Sequence, residues 1–277
     1  MSENKGLDIF GIKPVANAID TTVQKSLQGI EGFLQLTCKP ALGEIGLLIQ
    51  DKVRHWRLNN VVKMLEKAQG KLNFEDEKLQ LKSHPRVGLS IIDNSSLIDN
   101  EEIQEMWAGL FVSSCTESGN DDSNLIFIDL LKQLTTAQAQ ILKYGVENSR
   151  KIIYPNGLVL SEELDVHCDE LFKLTGINNY HRIDRELDYL RTLGLIGRGD
   201  FGGGFDASSK ELVADITPTY LSLSLYVKSQ GSTLDPDDFW RTELVTKEEL
   251  DKERQQRTKE EAEKRKAEKE KKAGNNV

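Results

Sequence analysis

The sequence predicts a mainly α-helical protein, in which an N-terminal helical bundle is followed by a winged-helix-like domain with a small β-hairpin wing. Apolar residues recur at helical spacing through most of the first 150 residues. A helix–turn–helix pattern and two short β-like segments then follow in the order of a winged helix. The predicted regions are a flexible arm (residues 1–13), the bundle (14–153), the winged-helix-like domain (154–231), and a linker with a charged C-terminal helix or disordered tail (232–277).

The first predicted helix follows the arm and covers residues 14–38, with Pro14 in its first turn. A membrane-surface helix over residues 14–49 is the alternative. Its polar face is not basic, so the pattern favours a helix in a protein core. Small residues on this helix predict close approach of another helix: Ala18, Thr22, Ser26 and Gly29.

The stretch at residues 40–72 is predicted to organise the bundle, because a long helix with one apolar side needs other helices to cover it. Asn60 is the one polar member of its apolar stripe, and Arg54 and Arg57 lie beside it on the helical wheel. Two interpretations of Asn60 stay open: a core residue that fixes helix register, or part of a functional polar cluster. The predicted stripe consists of Leu42, Ile45, Ile49, Val53, Trp56, Asn60 and Met64.

A helix with a capping box is predicted next, since Asp99 is followed by Glu102 at the required spacing. Pro85 is predicted to start a shorter helix before it. Trp107 is expected to anchor the helical core from the middle of the apolar face. That face consists of Ile103, Met106, Trp107, Leu110, Phe111 and Ser114. Two further helices are predicted at residues 125–134 and 136–151, the second capped by Thr135 or Thr136.

The pattern of a winged helix begins after Tyr154. A turn and a β-like segment at residues 158–160 precede a helix that is predicted to start at Ser161. The next helix is capped by Asn178 or Asn179. Two strands, at residues 195–198 and 211–216, are then predicted to pair around a glycine-rich tip.

The C-terminal segment at residues 246–272 has strong helix formers and no apolar stripe. It is predicted to be a solvated single helix or disordered, and to be dispensable for folding. Trp240, just before it, is predicted to dock back onto the body.

Composition argues for a soluble cytoplasmic protein. The net charge is −9, which disfavours a general binder of nucleic acid or anionic membranes. There is no signal peptide and no apolar run long enough to span a bilayer. Three widely spaced cysteines, Cys38, Cys115 and Cys168, predict reduced thiols.

No set of residues in the sequence predicts catalysis, a metal site or a cofactor. The histidines and cysteines lack metal-ligand spacing, and Gly202–Gly204 lacks the Lys and Ser/Thr of a phosphate-binding loop. We therefore expect no enzyme activity, no catalytic residue, no metal and no cofactor.

Because many winged-helix domains bind DNA, an alternative function is that of a DNA-binding transcriptional regulator. Under that alternative the DNA-contacting residues would be Arg182, Arg185, Arg191 and Arg198. Carboxylates are interleaved with these arginines, whereas a helix that binds the major groove usually presents an excess of cations. Protein interaction or self-association is therefore the favoured use of this domain.

Three segments resemble the abortive-infection alpha (Abi-alpha) proteins of bacteria. They are KVRHWRLNNVVKMLEKA at residues 52–68, NEEIQEMWAGLFVSS at residues 100–114, and FIDLLKQLTTAQAQIL at residues 127–142. The family-motif positions are Arg54, Arg57, Asn60 and Trp107. One departure is Gly109–Phe111, where the family usually has a polar residue and two leucines.

The resemblance implies a role in bacterial defence against phage, through arrest of the infected cell. It implies no catalytic residue, because the family's mechanism is not settled. We therefore expect an antiviral-defence factor that acts through a protein partner or as a homo-oligomer. A DNA-binding regulator is the second hypothesis, and a membrane-perturbing toxin acting through residues 14–49 is the third.

Overall fold

The computed structural model describes residues 21–41, 52–72, 81–197 and 212–274. Within these ranges the protein is mainly helical with small sheets, which confirms the helical part of the predicted fold class. The helices are α1 (Thr21–Thr37), α2 (Lys52–Lys71), α3 (Pro85–Ser95), α4 (Glu101–Ser113), α5 (Leu125–Leu131), α6 (Thr136–Asn148), α7 (Cys168–Thr175), α8 (Tyr180–Thr192), α9 (Tyr220–Ser229), α10 (Pro236–Phe239) and α11 (Lys247–Gly274). The strands are β1 (Lys82–Ser83), β2 (Cys115–Thr116), β3 (Lys151–Ile153), β4 (Val159–Ser161), β5 (Asp165–His167), β6 (Val213–Asp215) and β7 (Val245–Thr246).

Helix α4 is buried on all sides from Ile103 to Ser113 apart from Glu105, which is partly exposed. It packs against α2 on one side and α9 on another. The predicted apolar face is confirmed, and Trp107 and Phe111 are both fully buried. The predicted cap was wrong by one residue. Asn100, and not Asp99, accepts hydrogen bonds from the first free amides of the helix.

Helix α2 packs against α4 and α1, and the organising role predicted for the stretch at residues 40–72 stays a prediction. Residues 42–51 of the helix predicted at residues 40–72 lie outside the described residues. In the described part, Asn60 and Met64 are buried as predicted, whereas Trp56 is 41% exposed. Because both α1 and α4 cover α2, its buried face is wider than a single stripe and includes Leu58 and Val62.

Helices α4 and α9 approach each other closely at Gly109 of α4. A Cβ atom at Gly109 would lie 1.7 Å from the carbonyl oxygen of Ser229, the last residue of α9. On α1, Gly29 is exposed with no atom within 4 Å of an added Cβ, so the close approach predicted there is wrong for this residue. Ala18 lies outside the described residues.

The start of α3 at Pro85 and the capping box of α6 at Thr135 are confirmed. Helix α6 ends at Asn148, earlier than predicted, because Lys151 enters strand β3. The ammonium group of Lys151 donates to the carbonyl oxygens of Val146 and Ser149, so it satisfies free carbonyls at the end of α6. It also lies 5.0 Å from the centre of the Trp240 ring.

A three-stranded sheet has the order β4–β3–β7, with β3 and β4 antiparallel and β3 and β7 parallel. The predicted docking of Trp240 is confirmed, since only 5% of this residue is exposed. Its ring stacks with that of Tyr226 at a centroid distance of 6.0 Å.

The helix predicted to start at Ser161 begins instead at Cys168, because Asp165–His167 form strand β5. Strand β6 pairs with β5, a partner that the sequence did not predict. Of the other predicted wing strand, the described part forms only an isolated bridge between Ile196 and Pro218. The glycine-rich tip lies outside the described residues. The cap at Asn179 is confirmed.

The charged C-terminal segment was predicted to be either a single helix or disordered, and it forms helix α11. Its first turns are attached to the body, because Leu250 is 2% exposed and Glu253 pairs with Arg150. The described hydrophobic residues form two clusters: the larger runs from α1 through α8 to α9 and includes Leu27, Leu187 and Leu225, and the smaller includes Trp240. The domain boundary at residues 153–154 stays a prediction.

Candidate functional site

The family-motif residues Arg57 and Asn60 meet at the C-terminal end of α3. The Arg57 Nε donates to the Ser96 hydroxyl at 2.9 Å, and its Nη2 donates to the Asp93 carboxylate at 2.6 Å. The Asn60 amide donates to the Ser96 carbonyl oxygen at 3.0 Å. Since the last carbonyls of a helix lack partners within the helix, Asn60 satisfies one carbonyl at the end of α3, while Arg57 binds side chains there.

Helix α4 joins the same cluster through Gln104, which is fully buried. Its amide nitrogen donates to the Ile98 carbonyl oxygen at 2.7 Å and to the Asn60 carbonyl oxygen at 3.4 Å. Trp107 lies one turn further along α4. The Trp107 side chain is fully buried, and its Nε1 has no hydrogen-bond partner among the described residues.

We call the set Arg57, Asn60, Ser96 and Gln104 the clamp. Its bonds tie the segment that follows α3 to both α2 and α4. Neither of the two cavities described below is lined by these residues. The hydrogen bond from Asn60 to the Ser96 carbonyl oxygen is the kind that the register-fixing interpretation expects, and the choice between the two interpretations stays a prediction. The side chain of Arg54 lies outside the described part of the chain.

The candidate DNA-contacting residues on α8 face different environments. The side chains of Arg182 and Arg185 are 55% and 74% exposed. Arg191 is only 14% exposed and donates to the Asp215 carbonyl oxygen at 3.2 Å, so it supports strand β6. Arg198 lies outside the described residues. The structure thus leaves Arg182 and Arg185 on the solvent side of α8.

The carboxylate of Glu186 holds α8 onto the body and also lies 3.8 Å from Arg182 Nε and 3.9 Å from Arg185 Nη2. It is 7% exposed and accepts hydrogen bonds from the Thr135 hydroxyl at 3.0 Å and the Gln138 amide at 2.8 Å. Both donors belong to the capping box of α6. One of the three carboxylates interleaved with the α8 arginines is therefore turned away from solvent.

The outer face of α8 also carries exposed aromatic side chains. Tyr180 and Tyr189 are 48% and 38% exposed. The Tyr180 ring packs on the His181 ring with a centroid distance of 4.2 Å. We call the set Tyr180, His181, Arg182, Arg185 and Tyr189 the α8 face.

One cavity, of about 430 Å³, lies between the β3–β4 hairpin, the start of α9 and the first turns of α11. Ile152, Leu160 and Tyr220 supply apolar walls, and Glu162 and Arg254 pair across its rim at 3.3 Å. Because the cations and carboxylates of the rim neutralise one another, the cavity shows no preference for a charged ligand.

A second cavity, of about 550 Å³, lies among α2, α4, α6 and α9. Lys67 bridges Glu101 at 2.8 Å and Glu105 at 2.6 Å across it. The hydrogen bonds that Lys67 donates to these carboxylates raise the pKa of Lys67, and the bond to Glu101 lowers the pKa of Glu101. The cavity is thus lined by an ion-pair network that joins α2 to α4.

The described residues contain no group of three His, Cys, Asp or Glu side chains that could hold a metal ion. The three cysteines are free and buried, and burial raises the pKa of each thiol, to about 12 for Cys115. A thiol with a raised pKa is a poor nucleophile. None of the described helices is long and apolar enough to cross a bilayer.

Sequence reasoning missed Ser96, Gln104 and Glu186. Gln104 lies outside the predicted apolar face of α4, so nothing in the sequence indicated that it is buried. Its burial follows from the packing of other elements on all sides of α4. Glu186 is next to Leu187 on the side of α8 that faces the protein interior, and this position could have indicated that Glu186 is buried. Ser96 follows a helix end and carries no specific signal.

Comparison with known proteins gives one match. A family model described as abortive infection alpha matches residues 57–234, which is 178 of the 277 residues. No curated protein and no solved structure matches the chain. The matched span includes Arg57, Asn60, Trp107 and the whole α8 face, whereas Arg54 and helix α11 lie outside it.

Proposed function

The chain belongs to the abortive infection alpha family, and from this we propose that it is a bacterial phage-defence factor that acts by contact with another protein. The family match carries the proposal. It spans the clamp, the central helix and the α8 face, so the elements that position the proposed contact surface all lie within the matched span.

The α8 face is the contact surface that we propose. Tyrosine and arginine are enriched among the residues that contribute most to protein–protein binding, and both residue types are exposed there. Glu186 fixes the helix to the body through Thr135 and Gln138, so the exposed side chains are held on a rigid support. A preorganised surface loses less entropy on binding.

We further propose that residues 154–231 form a winged-helix-like domain. Strand β5, helices α7 and α8 and strand β6 follow in the order of such a unit, and β5 pairs with β6. The helix α8 then occupies the place of the recognition helix. We propose that it is used for protein contact, that the protein is not an enzyme, and that it works in the cytoplasm.

The defence proposal is tested by infection of cells that carry or lack the gene, at low and at high phage-to-cell ratio. We expect fewer plaques on carriers. The infected carriers should stop growing or die before phage release, so a culture survives only when few cells are infected. Equal plaque numbers on both strains across a panel of phages would contradict the proposal.

A DNA-binding regulator would behave differently in a binding assay. It would bind a defined sequence at physiological salt with a Kd of about 10⁻⁸ M or below and lose that affinity on Arg182→Ala or Arg185→Ala. We expect weak binding without sequence preference. Formation of a nanomolar, sequence-specific complex would mean that α8 contacts DNA, and it would contradict the proposal that α8 contacts a protein.

A further inference from the structure

Helix α11 leaves the body after about two turns. Its attachment consists of the buried Leu250, the ion pair between Arg150 and Glu253 at 2.8 Å, and the pair between Arg254 and Glu162 at 3.3 Å. Beyond Arg254, the hydrogen bonds found among the described side chains stay within the helix. Side chains 255–260 and 262–264 are exposed. The helix nevertheless continues to Gly274.

Charge is separated along this helix. Residues 247–263 contain five Lys or Arg and seven Asp or Glu, a balance of −2. Residues 264–272 contain six Lys or Arg and two Glu, a balance of +4. The whole chain carries −9, so everything other than residues 264–272 sums to −13. We call residues 264–272 the basic tip.

The basic tip lies far from the acidic body on the scale of ionic screening. At about 1.5 Å per residue, the tip begins about 15 Å beyond Arg254 and ends about 27 Å beyond it. The Debye length at physiological salt is about 8 Å. Negative charge on the body is therefore largely screened at the tip, and a polyanion that approaches the tip meets its local positive charge.

The chemistry of the tip selects among anionic partners. A membrane-surface helix needs an apolar face to insert between lipids, and the apolar side chains of α11 beyond Leu250 are the alanines at 262, 267 and 273. Duplex nucleic acid presents about one phosphate charge per 1.7 Å of its axis and binds Lys and Arg without needing apolar contact. A helix end with six Lys or Arg and no apolar face suits this partner.

We propose that the basic tip of α11 binds the phosphate backbone of duplex nucleic acid without sequence preference. This contact is separate from the α8 face and lies outside the span that matches the family model. It tethers an otherwise acidic protein to nucleic acid through one end of an extended helix.

The test compares two triple variants of the full chain that match in residue type and charge change. The tip variant is Lys264→Gln, Arg265→Gln and Lys266→Gln. The control variant is Lys252→Gln, Arg257→Gln and Lys259→Gln, on the exposed mixed-charge part of the same helix. Each variant removes two lysines and one arginine. Binding to a fluorescent duplex DNA of arbitrary sequence is measured by anisotropy at several salt concentrations.

We expect the tip variant to bind at least ~10-fold more weakly at 50 mM salt and to reduce the salt slope of log K by about 2–3. The control variant should change the affinity less than about 3-fold, and Arg182→Ala with Arg185→Ala should change it little. Equal losses in both triple variants would mean that only net charge matters. That result, an unchanged tip variant, or a wild-type protein that binds anionic phosphatidylserine vesicles and not DNA would overturn the proposal.

Discussion

At the scale of single residues, the family motif describes a scaffold. Asn60 was the polar member of an apolar stripe, and its two interpretations could not be separated from the sequence. In the fold, its amide satisfies the buried Ser96 carbonyl oxygen while Arg57 binds the hydroxyl of the same serine. The pattern could predict that Asn60 is buried. It could not predict the partner, which is 36 residues away and follows a different helix.

The substitution Asn60→Leu should destabilise the protein by about 1–3 kcal/mol, because it leaves the Ser96 carbonyl oxygen buried without a donor. The neighbouring residue provides a matched control. The Asn59 side-chain oxygen is buried with no partner in the described part of the chain, so Asn59→Leu should cost less than about 1 kcal/mol. Urea unfolding of both variants measures the difference. Equal losses would show that the clamp contributes nothing to stability.

The buried thiols should be unreactive in the folded protein. Desolvation raises the pKa of Cys115 from its ordinary value of 9.0 to about 12, and the thiolate is the reactive form. A disulfide reagent at pH 8 should modify all three cysteines within minutes in denaturant and only slowly without it. Rapid modification of the native protein would mean that the helices around the thiols open easily.

The same shift makes the free energy of unfolding depend on pH. Because the folded state holds the Cys115 proton more tightly than the unfolded state, this contribution is complete below pH 9 and is lost as pH rises to about 12. The Tyr226 pKa, raised to about 12 mainly by burial, acts in the same direction above pH 10. Replacing Cys115 with Ala should reduce the fall in stability over this interval.

At the scale of elements, helical periodicity predicted α3, α4, α6 and α8 to within a few residues, since their apolar faces are local features. It failed where a tertiary partner decides the structure. Residues Asp165–His167 became a strand because β6 pairs with them, 48 residues away. The central position of α4 was missed, because a helix covered on all sides shows a weaker amphipathic pattern than one covered on one side.

Gly109→Ala should be among the most damaging substitutions of a single small residue. The added Cβ would meet the backbone of Ser229, which cannot move without shifting α9, and such overpacking costs about 1–3 kcal/mol or more. Gly29→Ala on α1 is the control, because nothing lies within 4 Å and alanine favours a helix by about 0.5–1 kcal/mol. Thermal unfolding should separate the two variants. Similar midpoints would contradict the close packing of α4 on α9.

Removal of the C-terminal helix should have two different effects, depending on the cut. A chain that ends at Leu244 loses β7 and the burial of Leu250, which is worth about 1.5–3 kcal/mol for a leucine. Its thermal midpoint should fall by several degrees. A chain that ends at Thr258 keeps both and should unfold like the full protein. If the shorter chain were equally stable, the attachment of α11 would be unimportant.

At the scale of the whole molecule, the described chain has three separate regions. The clamp fixes α3 between α2 and α4, the α8 face is presented to solvent, and α11 carries its basic tip away from the body. The motif residues that carry the family resemblance and the exposed residues that we propose to act in defence are therefore different sets. We therefore expect that mutation of the motif residues lowers stability, whereas mutation of the α8 face removes defence and leaves stability unchanged.

Phage protection by a folded α8-face variant tests this separation most directly. The double variant Tyr180→Ala/Arg185→Ala should keep the wild-type thermal midpoint, because both side chains are largely exposed, and should lose protection against a phage that the wild-type protein restricts. Arg257→Ala, an exposed arginine on α11, should keep both. A double variant that is folded and still protects cells as well as the wild type would contradict the account.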